Sequence, residues 1–156
     1  MILNIVCDIS GSMSEGGKLF AMRTAVMTVA QYARFGYGHA ELKLYGTGSE
    51  SRLFSDWNAR DEFPAVLLDC SGSSFGETLI ALFEKGSDDK VLLLTDGFWT
   101  REGARMMKRW KEQLGPNTLR IIKIGADSNP QIKGPDVFAA EDLFAALDSW
   151  LAGGST

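Results

Sequence analysis

Two aspartates each follow a short apolar run and stand among hydroxyls. Asp8-Ile9-Ser10-Gly11-Ser12 closes the run from Ile2 to Cys7, and Thr95-Asp96-Gly97 closes the run from Val91. Between them in the chain, Gly72-Ser73-Ser74-Phe75-Gly76 adds further hydroxyls. Oxygen-only donors suit a hard cation such as Mg²⁺, which takes an octahedron of oxygens and keeps several waters. One carboxylate and two hydroxyls at alternate positions of a tight loop can turn toward one point, with Gly11 permitting the bend. Two aspartates at neighbouring strand ends repel each other unless a cation lies between them or one takes up a proton.

Other chemistries fit less well. Ser12 to Leu19 approaches a phosphate-binding loop because Gly17-Lys18 is present, but the leading glycine is Ser12 and the closing hydroxyl is Leu19, so it fails twice. A haloacid dehalogenase-like phosphatase would use Asp8 as nucleophile with Mg²⁺. Such enzymes carry a second aspartate two residues on, where this chain has Ser10, and Asp88-Asp89 precedes its strand instead of following it. With one histidine, His39, and no CxxC pair, a structural zinc site lacks ligands. The plainer reading of each loop is a turn or a helix cap, Asp-Gly being a common turn dipeptide and Ser a common N-cap.

These loops need rigid elements behind them. Ile2–Cys7 reads as a buried strand, and Lys18 to about Phe35 as a helix with Leu19, Met22, Val26, Val29 and Ala33 at spacings of three and four, stopped by Gly36 and Gly38. Ala40–Tyr45 alternates as a strand, and Ser51–Phe54 follows as an edge strand. Asn58–Leu68 is read as a helix, as is Gly76–Glu84 after the Ser/Gly loop. Val91–Thr95 is a strand, Arg101–Leu114 an amphipathic helix closed by Gly115-Pro116, Leu119–Ile124 and Val137–Phe138 strands. Leu143, Phe144, Leu147, Trp150 and Leu151 line a last helix. Alternating strands and helices imply an α/β fold with a mostly parallel sheet, whose ligands bind beyond the strand carboxyl ends.

Composition bounds the rest. The chain has 156 residues, 45% apolar and 23% charged, which fits one domain over residues 1–152 with 153–156 as a flexible tail. The net charge is −4 without a basic block, which argues against nucleic acid as a partner. No stretch reaches the roughly 20 apolar residues that span a bilayer, and Met1–Cys7 is too short and lacks the basic start of a signal peptide. No membrane association is expected, and the expected location is cytoplasmic. Cys7 and Cys70 read as buried thiols. Phe75, Phe98 and Trp99 either form an aromatic rim for a partner or pack on their own loops.

Three motifs in order, Asp8-x-Ser10-x-Ser12, the Ser73 loop and Thr95-Asp96-Gly97, resemble the metal-ion-dependent adhesion site of von Willebrand factor A-type (vWA) domains, and the likeness covers nearly the whole chain. The resemblance implies a three-layer α/β/α Rossmann-like fold with a six-stranded sheet, order 3-2-1-4-5-6, with one antiparallel edge strand. It implies a metal set of Asp8, Ser10, Ser12, Ser73 and Asp96. The two serine hydroxyls would touch Mg²⁺ (or Mn²⁺ or Ca²⁺), and the aspartates would act through water. The metal's open position would take a Glu or Asp of a partner protein. The family's middle-loop threonine is replaced here by serine; the pattern selects Ser73, with Ser74 or Thr78 as fallback. The implied role is non-enzymatic: an interaction module in an intracellular bacterial system beside an AAA ATPase or a kinase/phosphatase. A phosphatase or a metal-free structural adaptor are the alternatives.

Overall fold

The computed structural model describes residues 2–35, 40–47, 51–58, 62–64, 90–115, 117–126 and 128–152. The first strand, β1 (Ile2–Asp8), is apolar on both faces because both faces are covered. Leu3, Ile5 and Cys7 enter one core cluster and Val6 enters the other. The same alternation runs through β4 (Lys90–Thr95), where Leu92 and Leu94 face one layer and Val91 and Leu93 the other.

Around these two lie β2 (Glu41–Thr47), β3 (Ser51–Leu53), β5 (Leu119–Lys123) and β6 (Val137–Ala139). The sheet order is β3-β2-β1-β4-β5-β6. The pairs β1–β2, β1–β4, β4–β5 and β5–β6 are parallel, while β3 lies antiparallel to β2. The α/β class and the parallel central sheet expected from the sequence therefore stand.

Helix α1 (Lys18–Arg34) packs one face through Met22, Ala25, Val26, Val29 and Ala30, spaced by threes and fours. The C-terminal segment joins it there: α3 (Leu143–Leu147), continued as a π-type turn over Asp148–Ala152, contributes Leu143, Ala146, Leu147 and Trp150. Helix α2 (Arg101–Gln113) covers the opposite face through Met107 and Trp110. Its start is fixed by Thr100, whose hydroxyl accepts from Gly103 N–H at 3.0 Å, with Glu102 in the first turn favouring the helix dipole. No described helix is long and apolar enough to cross a membrane.

One sequence expectation changes. Asn58 and Glu62–Pro64, inside the segment expected to be helical, have no regular structure; Phe63 instead anchors into the core. Pro64 disfavours helical backbone at the residue before it. The remainder of 58–68, the expected helix Gly76–Glu84 and the glycine stops after α1 fall outside the described residues.

Candidate functional site

β1 and β4 are parallel neighbours whose following connections diverge: α1 leads from β1 to β2 on one side, while β4 continues to β5 on the other. This is the reversal of strand order beyond which α/β sheets bind ligands. Register pairs Cys7 with Leu94, so Asp8 and Thr95 are the next residues on the two strands and Asp96 follows at once. Asp8 is 1% exposed and Asp96 0%.

Both oxygens of the Asp8 carboxylate are engaged. Its Oδ1 accepts Ser10 N–H at 2.9 Å, and its Oδ2 accepts the Thr95 hydroxyl at 2.6 Å. Burial pushes its pKa above the usual carboxylate value, against the lowering influence of these hydrogen bonds; the charge of Asp96 adds only the smallest push upward. Thr95 is the hub. While donating to Asp8, its Oγ1 accepts Gly97 N–H at 3.1 Å and Trp99 Nε1–H at 3.0 Å, which uses the hydroxyl's full capacity.

After Ser10 the chain enters a single 3₁₀ turn, Gly11–Ser14, and Ser14 closes it with a bond to Gly11 O at 2.7 Å. Ser10 Oγ and Ser12 Oγ lie 3.5 Å apart. The bend expected at Gly11 needs no glycine conformation there. The left-handed residues are Gly16 (φ 56°) and Gly17 (φ 76°), which turn the chain into α1.

That turn delivers Lys18, which the sequence suggested only as a helix start and as the lysine of a failed phosphate-binding loop. Its side chain is 1% exposed, and its ammonium donates to Asp96 Oδ2 at 3.0 Å and to Ser12 O at 3.3 Å. The same nitrogen lies 5.3 Å from the Phe98 ring centroid. Asp96 Oδ1 accepts Phe98 N–H at 3.1 Å. The 96–97 loop is held in turn by Asn129, whose N–H donates to Asp96 O at 2.8 Å and whose Nδ2 donates to Gly97 O at 3.1 Å.

Of the five residues singled out in the sequence, Asp8, Ser10, Ser12 and Asp96 thus gather at one rim of the sheet. Ser73, with Ser74 and Thr78, lies outside the described residues. The set offers carboxylate, hydroxyl and carbonyl oxygens, which fits a hard cation by donor chemistry. One cation, the Lys18 ammonium, already contacts the Ser12 carbonyl and the Asp96 carboxylate. Among the described residues no group of three or more His, Cys, Asp or Glu side chains converges, so any ion here would rest on hydroxyls as much as on carboxylates. Of the aromatic rim, Phe98 is 45% exposed, whereas Trp99 packs against the α2-side core and bonds Thr95. Phe75 lies outside the described residues.

Lys18 and Thr95 carried weak but readable signals. Lys18 lies four residues before Met22, in phase with the buried stripe of α1, where a lysine demands an internal partner. Thr95 is a hydroxyl at the end of an otherwise apolar strand.

No family model and no curated protein matches this sequence. Solved structures do resemble it. The manganese-loaded TRAP protein of Plasmodium vivax superposes with a TM-score of 0.57 at 15% identity, covering 96% of this chain and 72% of that one. BatB of Bacteroides thetaiotaomicron, described as a conserved hypothetical protein, gives a TM-score of 0.53 at 13% identity, covering 79% and 66%. What is shared is the fold, a vWA-like, Rossmann-like α/β arrangement.

Proposed function

We propose that this chain is a protein-interaction module that holds one divalent cation, Mg²⁺ or Mn²⁺ (Ca²⁺ being the third choice), and through it grips a glutamate or aspartate of a partner protein. The observation carrying this reading is that the Asp8-Ser10-Ser12 loop and Asp96 stand at neighbouring strand ends at the reversal of strand order, where the Lys18 ammonium bridges Ser12 O and Asp96 Oδ2. In this reading the Ser10 and Ser12 hydroxyls hold the ion, Asp8 and Asp96 balance its charge, and Ser73 completes the set. A divalent ion among mostly neutral oxygens keeps enough positive charge to attract an external carboxylate. The manganese in the TRAP neighbour is in keeping with such an ion at this fold. The chain's own residues do the rest: Thr95 fixes Asp8, Asn129 fixes the 96–97 loop, and the exposed Phe98 offers an apolar contact beside the site.

The module acts as one unit over residues 1–152, in the cytoplasm, within a multi-protein system built around an AAA ATPase or a kinase/phosphatase. Its role is binding, without catalysis and without nucleic acid or membrane as partner. The phosphatase alternative gains no support, because Asp8 is buried and both its oxygens are engaged, whereas a nucleophile must reach its substrate. The metal-free adaptor keeps one observation in its favour: Lys18 neutralises Asp96 without any ion.

Thermal unfolding with and without metal tests the reading. A ligand that binds only the folded state stabilises it, by about 2.7 kcal/mol at a hundredfold excess over Kd. Millimolar Mg²⁺ or Mn²⁺ is expected to raise the Tm of the native chain and not that of Ser10→Ala/Ser12→Ala. An unchanged Tm at any metal concentration favours the adaptor.

A further inference from the structure

The position of Lys18 makes little sense as a device for stability. It is the first residue of α1, where the positive end of the helix dipole opposes a cation, and the first turn holds no acidic residue. Its side chain is withdrawn from water to 1% exposure, at the desolvation cost of a buried ion pair, a cost that hydrophobic side chains of similar volume avoid. Two left-handed glycines, Gly16 and Gly17, set the turn that brings it in. The ammonium then lies between the first loop and the third, touching Ser12 O and Asp96 Oδ2.

We infer that Lys18 is a tethered cation that closes this site, and that a divalent ion gains Asp96 only by displacing it. The inference rests on the metal reading above and adds a control to it. Ammonium and metal compete for the same carboxylate, because a second positive charge a few ångströms from the first is repelled. The affinity of the native chain for metal is therefore lowered by the need to break the Lys18 contacts. Displacement also pulls the lysine from beside Phe98, so metal entry changes the surroundings of the exposed aromatic ring next to the site.

Titration calorimetry with Mn²⁺ alone, on the full chain and on Lys18→Met, tests this. Methionine keeps the length and apolar stem of lysine and removes the charge. Lys18→Met is expected to bind Mn²⁺ at least tenfold more tightly than the native chain and to show the larger metal-induced rise in Tm. Lys18→Arg, which keeps the charge, is expected to show no gain. A folded Lys18→Met that binds Mn²⁺ no more tightly than the native chain overturns the inference and leaves the metal reading intact. Binding by neither chain overturns both. Should Lys18→Met fail to fold, the native chain decides: the NMR signal of the Lys18 ε-methylene, shifted by the Phe98 ring, is expected to move to that of a solvated lysine as saturating Mg²⁺ is added. A signal that stays in place while calorimetry reports bound Mg²⁺ overturns the inference.

Discussion

Replacing Thr95 with valine removes one oxygen and almost no volume, yet three groups lose a hydrogen bond at once. Asp8 Oδ2 loses a 2.6 Å donor, Gly97 N–H a 3.1 Å acceptor and Trp99 Nε1–H a 3.0 Å acceptor. A buried polar group left unsatisfied costs about 1–3 kcal/mol, and a charged one more. Thr95 itself is 0% exposed, which limits rescue by water. Counting the two buried groups, Asp8 Oδ2 and Gly97 N–H, the summed loss is about 2–6 kcal/mol by that scale. Set against a total stability of about 5–15 kcal/mol, this is a large fraction. For a chain of this size about 1 kcal/mol moves Tm by roughly 2–4 °C, so a drop of roughly 4 °C or more follows. Thr95→Ser keeps the oxygen and loses a methyl, at a cost of about 1 kcal/mol. Urea unfolding of native, Thr95→Val and Thr95→Ser chains measures the three stabilities. A double-mutant cycle with Asp8→Asn is expected to be non-additive, because the two residues share one hydrogen bond. If Thr95→Val loses less than about 1 kcal/mol, or no more than Thr95→Ser, the oxygen is not the hub described and the reasoning fails.

Gly97 has φ +77°, and a Cβ there would meet Ile132 Cγ1 at 2.9 Å, whereas a Cβ on Gly17, at φ +76°, would meet nothing within 4 Å. Gly17→Ala is expected to cost only the backbone penalty of about 1–2 kcal/mol, and Gly97→Ala distinctly more, by thermal unfolding; equal losses would show that Ile132 yields freely. Burial first, and then the 2.8 Å bond to Asp148 Oδ1, push the Tyr32 phenol up to about 12. A folded-state value raised above the unfolded one gives stability that is complete below about pH 10 and lost as pH rises through about 12. The native urea midpoint should therefore fall across that window more steeply than that of Tyr32→Phe, and parallel curves would refute the assignment.

Much of the site could be read from the chain because strand ends announce themselves. An apolar run stopped by Asp8, and another stopped by Asp96, place both carboxylates at the same edge of any parallel sheet. Helix α1 was legible from its three-and-four spacing, and α2 from its amphipathic spacing and the Gly115-Pro116 stop. The short segment around Phe63 misled, since charged residues suggested a helix start while the backbone restriction before Pro64 opposed it.

Local pattern thus determined which residues form strands and helices, and which polar side chains stand at their ends, because burial periodicity and turn chemistry act within a few residues. Partnership across the sheet was decided only in three dimensions. Asp8 and Thr95 are 87 positions apart and Lys18 and Asp96 are 78 apart, and no spacing rule joins them. The sequence led to the expectation that the two aspartates need a cation or a proton. Packing gave Asp96 the Lys18 ammonium, since a side chain on the buried stripe of α1 has to bring its charge to an acid already inside, and gave Asp8 the hydrogen bonds of Ser10 and Thr95.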